Sequence, residues 1–356
     1  MKPKPLILLL VLAAMVCGAS LYLYRRQAAD WGQEAAFNGG KILDFPINDV
    51  AAVTIKGPSG EVNLTKQNNA WLVKERDYPA DLDHVSRLIR TLWDLRAVQD
   101  VTAAPSQLPR LHLAVSGTLT DLKNAQGKRL AALMAGKDYL KSNPDIPGSG
   151  YPAGRYVMPL DGSSRVALVD DTLPDINASP ADWLDRTFIQ IHHIKSVTVS
   201  GTTPQTQWKI ERPDEKSAWT LAGAAPGERL EPSKVPNYES LLGSPVFTDV
   251  LPKSGSGQYP VAVKVETFDG STCTLKLGAP REDKWPVLLE VTGKLDKAKQ
   301  WNGRVFLLPR ITVSGLIKDR SQMLARNPPP PAIPIPAAHV PRSPVTTPPV
   351  AAPLPH

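Results

Sequence analysis

At 356 residues the chain is long enough for two domains, and 42% apolar with 21% charged residues describes a globular body rather than a disordered one. The formal net charge of +7 is not a nucleic-acid footprint: Lys2, Lys4, Arg25 and Arg26 place four positive charges around one segment, and the rest are dispersed without a basic stripe. The only cysteines are Cys17, inside an apolar run, and Cys273, so no disulfide framework is expected and the redox compartment stays open.

The chain opens with 19 uncharged residues, Leu6 to Tyr24, between Lys2/Lys4 and Arg25/Arg26. At 1.5 Å per helical residue this run just spans a hydrocarbon core of about 30 Å, with Tyr22 and Tyr24 where an interfacial aromatic belt belongs. A retained single-pass anchor fits better than a cleaved signal. Ala19-Ser20 runs straight into Leu21-Tyr22-Leu23-Tyr24, and Val16 before Cys17 is too bulky for lipoprotein processing. The charge balance favours a cytoplasmic N-terminus, which puts the body on the periplasmic or exterior side of the cytoplasmic membrane.

After a polar spacer over residues 27–40, strand signals begin. Val53 and Ile55 alternate with polar neighbours, Gly57-Pro58-Ser59-Gly60 turns the chain, Val62 and Leu64 alternate again, and a strand through Trp71 and Val73 follows. Connections this short demand an antiparallel meander. Asp81 is placed to cap a helix whose apolar stripe is Val85, Leu88, Ile89, Leu92 and Leu95. Strands return at Leu119–Lys123 and Arg129–Met134, joined through Asn124-Ala125-Gln126-Gly127. A Gly/Pro-rich insertion from Asn143 to Gly154 precedes Tyr156–Met158 and Val166–Val169. Ser179-Pro180-Ala181-Asp182 has the cap, N1 proline and first-turn acid of a helix start.

The plan then repeats. Val53-Thr-Ile-Lys-Gly is answered by Val197-Thr-Val-Ser-Gly, Ala70-Trp71 by Ala218-Trp219, Val98-Gln99-Asp100-Val101 by Phe247-Thr248-Asp249-Val250, and Asp185-Arg186-Thr187 by Asp319-Arg320-Ser321. The second copy adds a helix over Ser233 to Leu242, a hairpin at Asp269-Gly270 and a closing helix over Leu316–Met323. From Asn327 twelve of the last 30 residues are proline, a tail suited to polyproline II rather than to a core. The expected architecture is α+β: two tandem repeated domains, 41–190 and 191–326, of mostly antiparallel sheet with helices packed on one side. The anchor at 1–26 precedes them and a disordered tail at 327–356 follows.

No catalytic constellation accompanies this architecture. His192-His193 lack further metal ligands, Asp170-Asp171 fit a loop, and Asp81-x-Asp83-His84 fits a helix cap. Gly148 to Gly154 has neither phosphate-loop spacing nor GK[ST], and Trp71 and Trp219 fit core positions better than sugar platforms. Cys273 alternates with Leu275 and Leu277 as a small buried residue. The chain is therefore expected to be non-enzymatic, without cofactor, metal or nucleic acid. The pairs Asp185-Arg186 and Asp319-Arg320 are the residues expected at an interface.

The succession Val-x-Ile, polar turn, Trp71-x-Val73, Pro79-Ala80-Asp81 and the helix through Val85, Leu88 and Leu92 resembles a family of envelope-anchored domains of unknown function (DUF4340-like). That family is encoded beside auxiliary subunits of gliding-motility-type ABC transporters. The resemblance runs from about Leu43 to Asp249 and more loosely to Arg326. It implies an N-terminal anchor, an envelope location and an accessory or scaffold role in a transporter-linked complex, and it carries over no catalytic residues. The alternative is an extracytoplasmic glycan- or peptide-binding module that uses the cleft between the copies.

Overall fold

The computed structural model describes residues 39–142, 149–252, 257–294 and 298–325. The expected anchor at Leu6 to Tyr24, nearly all of the 27–40 spacer, the 143–148 part of the insertion and the proline-rich tail lie outside these residues. Among the described residues no helix is long and apolar enough to cross a membrane.

The chain forms two antiparallel sheets of nine and eight strands, with few helices. The first contains β1 (Ala52–Gly57), β2 (Gly60–Gln67), β3 (Ala70–Val73), β4 (Tyr78–Pro79), β5 (Gln99–Val101), β6 (Thr118–Lys123), β7 (Arg129–Ser142), β8 (Gly150–Pro159) and β9 (Val166–Val169). Helix α1 (Leu82–Asp94) lies between β4 and β5. The strand order is β4-β3-β2-β1-β6-β7-β8-β9-β5. The second sheet contains β10 (Ile194–Ser200), β11 (Trp208–Glu211), β12 (Thr220–Leu221), β13 (Asp249–Val250), β14 (Val261–Thr267), β15 (Thr272–Leu277), β16 (Lys284–Thr292) and β17 (Arg304–Pro309). Its order, β12-β11-β10-β14-β15-β16-β17-β13, is that of the first sheet without a counterpart of β4.

The same register recurs at equivalent positions of the two sheets. Val53 faces Leu64 and Leu64 faces Val73 in the first sheet, while Val197 faces Ile210 and Ile210 faces Leu221 in the second. All six are buried, because side chains alternate along a strand and one face of each sheet is turned to the core. The opposite faces are polar and charge-matched: Lys56–Glu61 at 3.6 Å, Arg129–Asp121 at 2.8 Å, Lys264–Glu266 and Lys276–Glu290 at 2.6 Å.

Helix α1 starts as its sequence demands: the Asp81 carboxylate accepts a hydrogen bond from the His84 backbone N–H at 3.0 Å. Val85, Leu88, Ile89 and Leu92 are buried, and Leu95 closes the stripe just after the last turn. In the second half α2 (Val235–Gly243) buries Val235, Tyr238 and Leu242 and packs on α4 (Arg310–Leu316), which follows the short α3 (Ala298–Trp301). Gly315 permits that approach, since a Cβ there would lie 2.5 Å from Leu241 Cδ1.

Two expected helices are corrected. The segment from Ser179 makes only a 3₁₀ turn, Pro180–Trp183, because Leu184 leaves it to bridge Ala80, with Asp81 N–H bonded to Trp183 O and Asp185 N–H to Pro79 O. The closing helix is broken into α4 and α5 (Arg320–Met323). Tertiary hydrogen bonds fix the chain there: Tyr238 Oη donates to Leu316 O at 3.1 Å and Trp208 Nε1 to Lys318 O at 2.8 Å. Around the insertion the described residues form an arm: β7 and β8 continue past the sheet and remain paired as far as Ser142 and Gly150.

Two substitutions check this account by chemical denaturation. Asp81→Ala should lower the unfolding free energy by about 1 kcal/mol through loss of the cap. Leu88→Ala, which opens a cavity beneath α1, should cost about 2–5 kcal/mol.

Candidate functional site: the joint between the two sheets

The most densely built polar and aromatic site is where the β3–β4 turn of the first half meets the β13–β17 edge of the second. Residues 74–77 turn tightly, with Arg76 N–H bonded to Val73 O and Asp77 at φ 46°. This turn projects the Arg76 guanidinium across the joint, where Nε reaches Asp249 Oδ1 at 2.8 Å and Nη2 reaches Oδ2 at 2.9 Å. Both side chains are largely buried, and the fork geometry satisfies both carboxylate oxygens. Hydrogen bonding to Asp249 holds the Arg76 guanidinium above its usual pKa against the cost of burial. From the other side Arg304 donates to Arg76 O and to Asp77 Oδ2, each at 3.3 Å, and its guanidinium lies 5.4 Å from the Tyr78 ring centroid.

At the same joint lies an aromatic cluster. Tyr78 meets Phe247 and Phe306 edge-on at 5.9 Å, Phe188 meets Phe306 at 4.7 Å and Phe247 at 5.0 Å, and Phe247 meets Phe306 at 5.1 Å. All four rings are buried. Burying each contributes about 1.5–3 kcal/mol, and each well-placed ring pair adds about 0.5–1.5 kcal/mol. Burial raises the Tyr78 phenol above its ordinary pKa.

Of the residues expected at an interface, Arg186 lies at this joint. Its Nη1 donates to Phe247 O at 3.0 Å and Thr248 O at 2.9 Å, its Nη2 donates to Ala181 O at 2.7 Å, and its guanidinium sits over Phe247 at 5.4 Å. Asp185 accepts from Thr187 N–H, two residues on in the chain. Arg320 stays within the second half, donating to Gly223 O at 2.9 Å and Glu228 Oε2 at 2.7 Å, and Asp319 caps α5 with Gln322.

The structure also corrects the match between the two Asp-Arg pairs. The bridge Ala80–Leu184 is repeated as Leu230–Leu324, flanked by Glu231 N–H to Met323 O and Ala325 N–H to Arg229 O. Asp185 thus corresponds to Ala325, and Asp319 corresponds to Ser179. The Asp100/Asp249 match does hold: Asp100 faces Ala167 in β5–β9 and Asp249 faces Leu307 in β13–β17. Asp100 is taken by Arg165 of its own half at 2.8 Å, whereas Asp249 is taken by Arg76 of the other. The sequence carries a signal for the joint that pattern reading passed over. Phe247 and Phe306 of the second copy stand where the first copy has Val98 and Val166.

The residues weighed for catalysis or metal binding fall elsewhere. His84 stacks on Trp183 with centroids 4.0 Å apart and planes 12° apart, and its Nε2 lies 3.2 Å from Asp175 Oδ1. Asp175 also takes Arg87 Nε at 2.9 Å. Among the described residues no hydroxyl or thiol hydrogen-bonds to His84. The groove of about 670 Å³ beside α1 carries both signs of charge, from Arg87 and Arg90 to Asp94 and Asp170. Asp171 accepts from Leu173 N–H, and His193 Nδ1 pairs with Glu215 at 2.8 Å. No group of three potential metal ligands occurs among the described residues. Trp71 is buried in β3, while Trp219 is half-exposed beneath Arg212 at 4.6 Å. Burial pushes the Cys273 thiol from 9.0 to about 12.

A family model described as "Domain of unknown function (DUF4340)" matches residues 71–256, just over half of the chain. The chain belongs to this family. The DUF4340 segment begins inside β3 and ends beyond β13. It spans the joint and contains Arg76, Tyr78, Arg186, Phe188, Phe247 and Asp249, while β1, β2 and β14–β17 lie outside it. No curated protein and no solved structure matches the chain.

Arg76→Ala strands the Asp249 carboxylate in a largely buried position and should cost about 3 kcal/mol by denaturant titration. Phe247→Ala should cost about 3–5 kcal/mol and split unfolding into two transitions, one per sheet, by calorimetry. Tyr78 and Cys273 hold their protons more tightly folded than unfolded. Their contribution is therefore intact below the ordinary thiol value of 9.0 and is lost as pH climbs toward about 12. Denaturation midpoints should accordingly fall between pH 9 and pH 10.5 and stay flat with respect to these groups from pH 7 to pH 8.

Proposed function

We propose that this chain is a non-enzymatic, membrane-anchored envelope protein, a scaffold or accessory subunit of an ABC-transporter-linked, gliding-motility-like complex. Its two α+β repeats stand outside the cytoplasmic membrane on the single-pass segment Leu6 to Tyr24. The observation that carries the reading is the joint. Aromatic burial and a two-armed arginine clamp lock two sheets into one body, which suits a spacer that must hold partners at a fixed separation. The uncharged N-terminal run supports the same reading.

The extracytoplasmic glycan- or peptide-binding alternative is favoured by one observation. Exposed aromatic side chains gather on the β7–β8 arm, where Tyr139 and Tyr151 are 39% and 50% exposed. The aromatic residues between the two halves are used in packing, so such binding would take place on the arm rather than in a cleft.

The test is crosslinking in intact membranes followed by purification of the full-length protein and mass spectrometry. Permease or auxiliary subunits of an ABC transporter should co-purify, and the protein should resist alkaline extraction from membranes. Recovery of glycan fragments without any transporter subunit would overturn the scaffold reading.

A further inference from the structure

The arm is the one large feature that the duplication does not explain. The hairpin of the second sheet that corresponds to β7–β8 is β15–β16, which ends at Leu277 and Lys284 without an extension. In the first half β7 loses its outer neighbour at Ala135, the last residue paired with β6, yet it stays paired with β8 through Ser142. Among the described residues no strand pairs with the outer edge of residues 137–142, so this edge offers open backbone donors and acceptors. Such an edge is a template for strand addition.

Side-chain placement gives the edge a character. Lys141 faces Tyr151 across the pair, and Tyr139 lies two residues before Lys141, so all three project from one face. Tyr156 joins them: its ring meets Tyr139 edge-on at 6.3 Å and takes the Lys137 ammonium at 5.8 Å. The other face carries Leu140, 59% exposed, and Asp138, which is neutralised by Arg155 at 3.8 Å. Several lysines on the broad sheet faces have carboxylate partners, among them Lys56–Glu61, Lys264–Glu266 and Lys276–Glu290. Neither Lys137 nor Lys141 has one among the described residues.

We propose that the β7 edge of the arm binds an acidic, extended segment of a partner protein, which adds as a strand beside residues 137–142. Its carboxylates would meet Lys137 and Lys141, and its side chains would lie against Tyr139. The two lysines disfavour a second copy of the same edge, which is the usual effect of edge lysines. The chain's own tail is disfavoured too, because it is proline-rich and carries Arg326 and Arg342, and proline cannot donate to a strand ladder. The arm also leaves the sheet at the end opposite to the one where the described chain begins. Lys41 O, where the chain enters the first sheet, lies 3.4 Å from Arg165 Nη1 at the start of β9, whereas the arm leaves past the other end of β9, where Arg155 faces Val169.

The inference rests on the scaffold reading, since the partner is expected within the same complex. The test places a photocrosslinking benzoylphenylalanine at Tyr139 in the full-length protein in its native membrane, and the crosslinked peptide is sequenced. The expected adduct is one acidic, proline-free stretch of a partner protein. Its yield should fall at least about tenfold when K137E and K141E set like charges opposite the strand. The double variant should keep the wild-type melting temperature, since both lysines are exposed. Adducts to lipid, to the chain's own tail or to a second copy would overturn the proposal, as would a protein adduct indifferent to the two charge reversals. Continued co-purification of transporter subunits alongside such a failure would show that the arm assignment, not the scaffold reading, is at fault.

Discussion

Two arginines cross the joint in opposite directions beside one aromatic cluster, and the unity of the molecule depends on that clamp. Arg76 reaches from the first half to Asp249 of the second, and Arg304 reaches back to Arg76 O and Asp77. Hydrophobic burial of Tyr78, Phe188, Phe247 and Phe306 supplies the free energy. The ion pairs contribute chiefly direction, because desolvating a charge offsets most of its Coulombic gain. Greasy rings alone would tolerate several angles between two sheets. A forked arginine on a carboxylate tolerates few.

The duplicated plan makes the departures from symmetry informative. Where the two copies agree, as in the register of Val53 with Leu64 and Val197 with Ile210, the residues serve the sheet itself. Where they differ, one copy faces something the other does not. Val98 and Val166 give way to Phe247 and Phe306 because the second copy receives the turn of the first at that edge. Asp100 keeps its partner Arg165 within its own half, while Asp249 spends its charge across the joint. The long β7–β8 arm belongs to the same class of asymmetry, since among the described residues no strand pairs with its outer edge.

Much of the fold was legible because its cause is local. Strand alternation, the Asn124–Gly127 and Asp269-Gly270 turns, and the Asp81-capped helix follow from side-chain period, turn chemistry and an N-cap. None of these needs a distant partner. The errors share the opposite cause. Ser179-Pro180 carries every local mark of a helix start, yet the chain leaves after one turn because Leu184 and Asp185 are bonded to the strand around Pro79. The closing helix breaks because Leu316 and Lys318 carbonyls accept bonds from Tyr238 and Trp208. The Asp-Arg pairs matched as letters but not as positions. Arg186 reaches Phe247 and Thr248 across the joint, while Asp319 and Arg320 serve a helix cap and a salt bridge within the second half.

By itself the sequence determined that this is a duplicated, mostly antiparallel sheet protein with one polar and one buried face per sheet, since period-two burial and short turns admit little else. It also placed an uncharged run before the body and a proline-rich segment after it. Only the tertiary structure decided that the two sheets share a joint, which residues form it, and that the insertion is a paired arm with an open edge. Those features depend on which distant strands lie side by side. Arg76 and Asp249 are separated by 173 positions, and no local pattern records a contact over that distance.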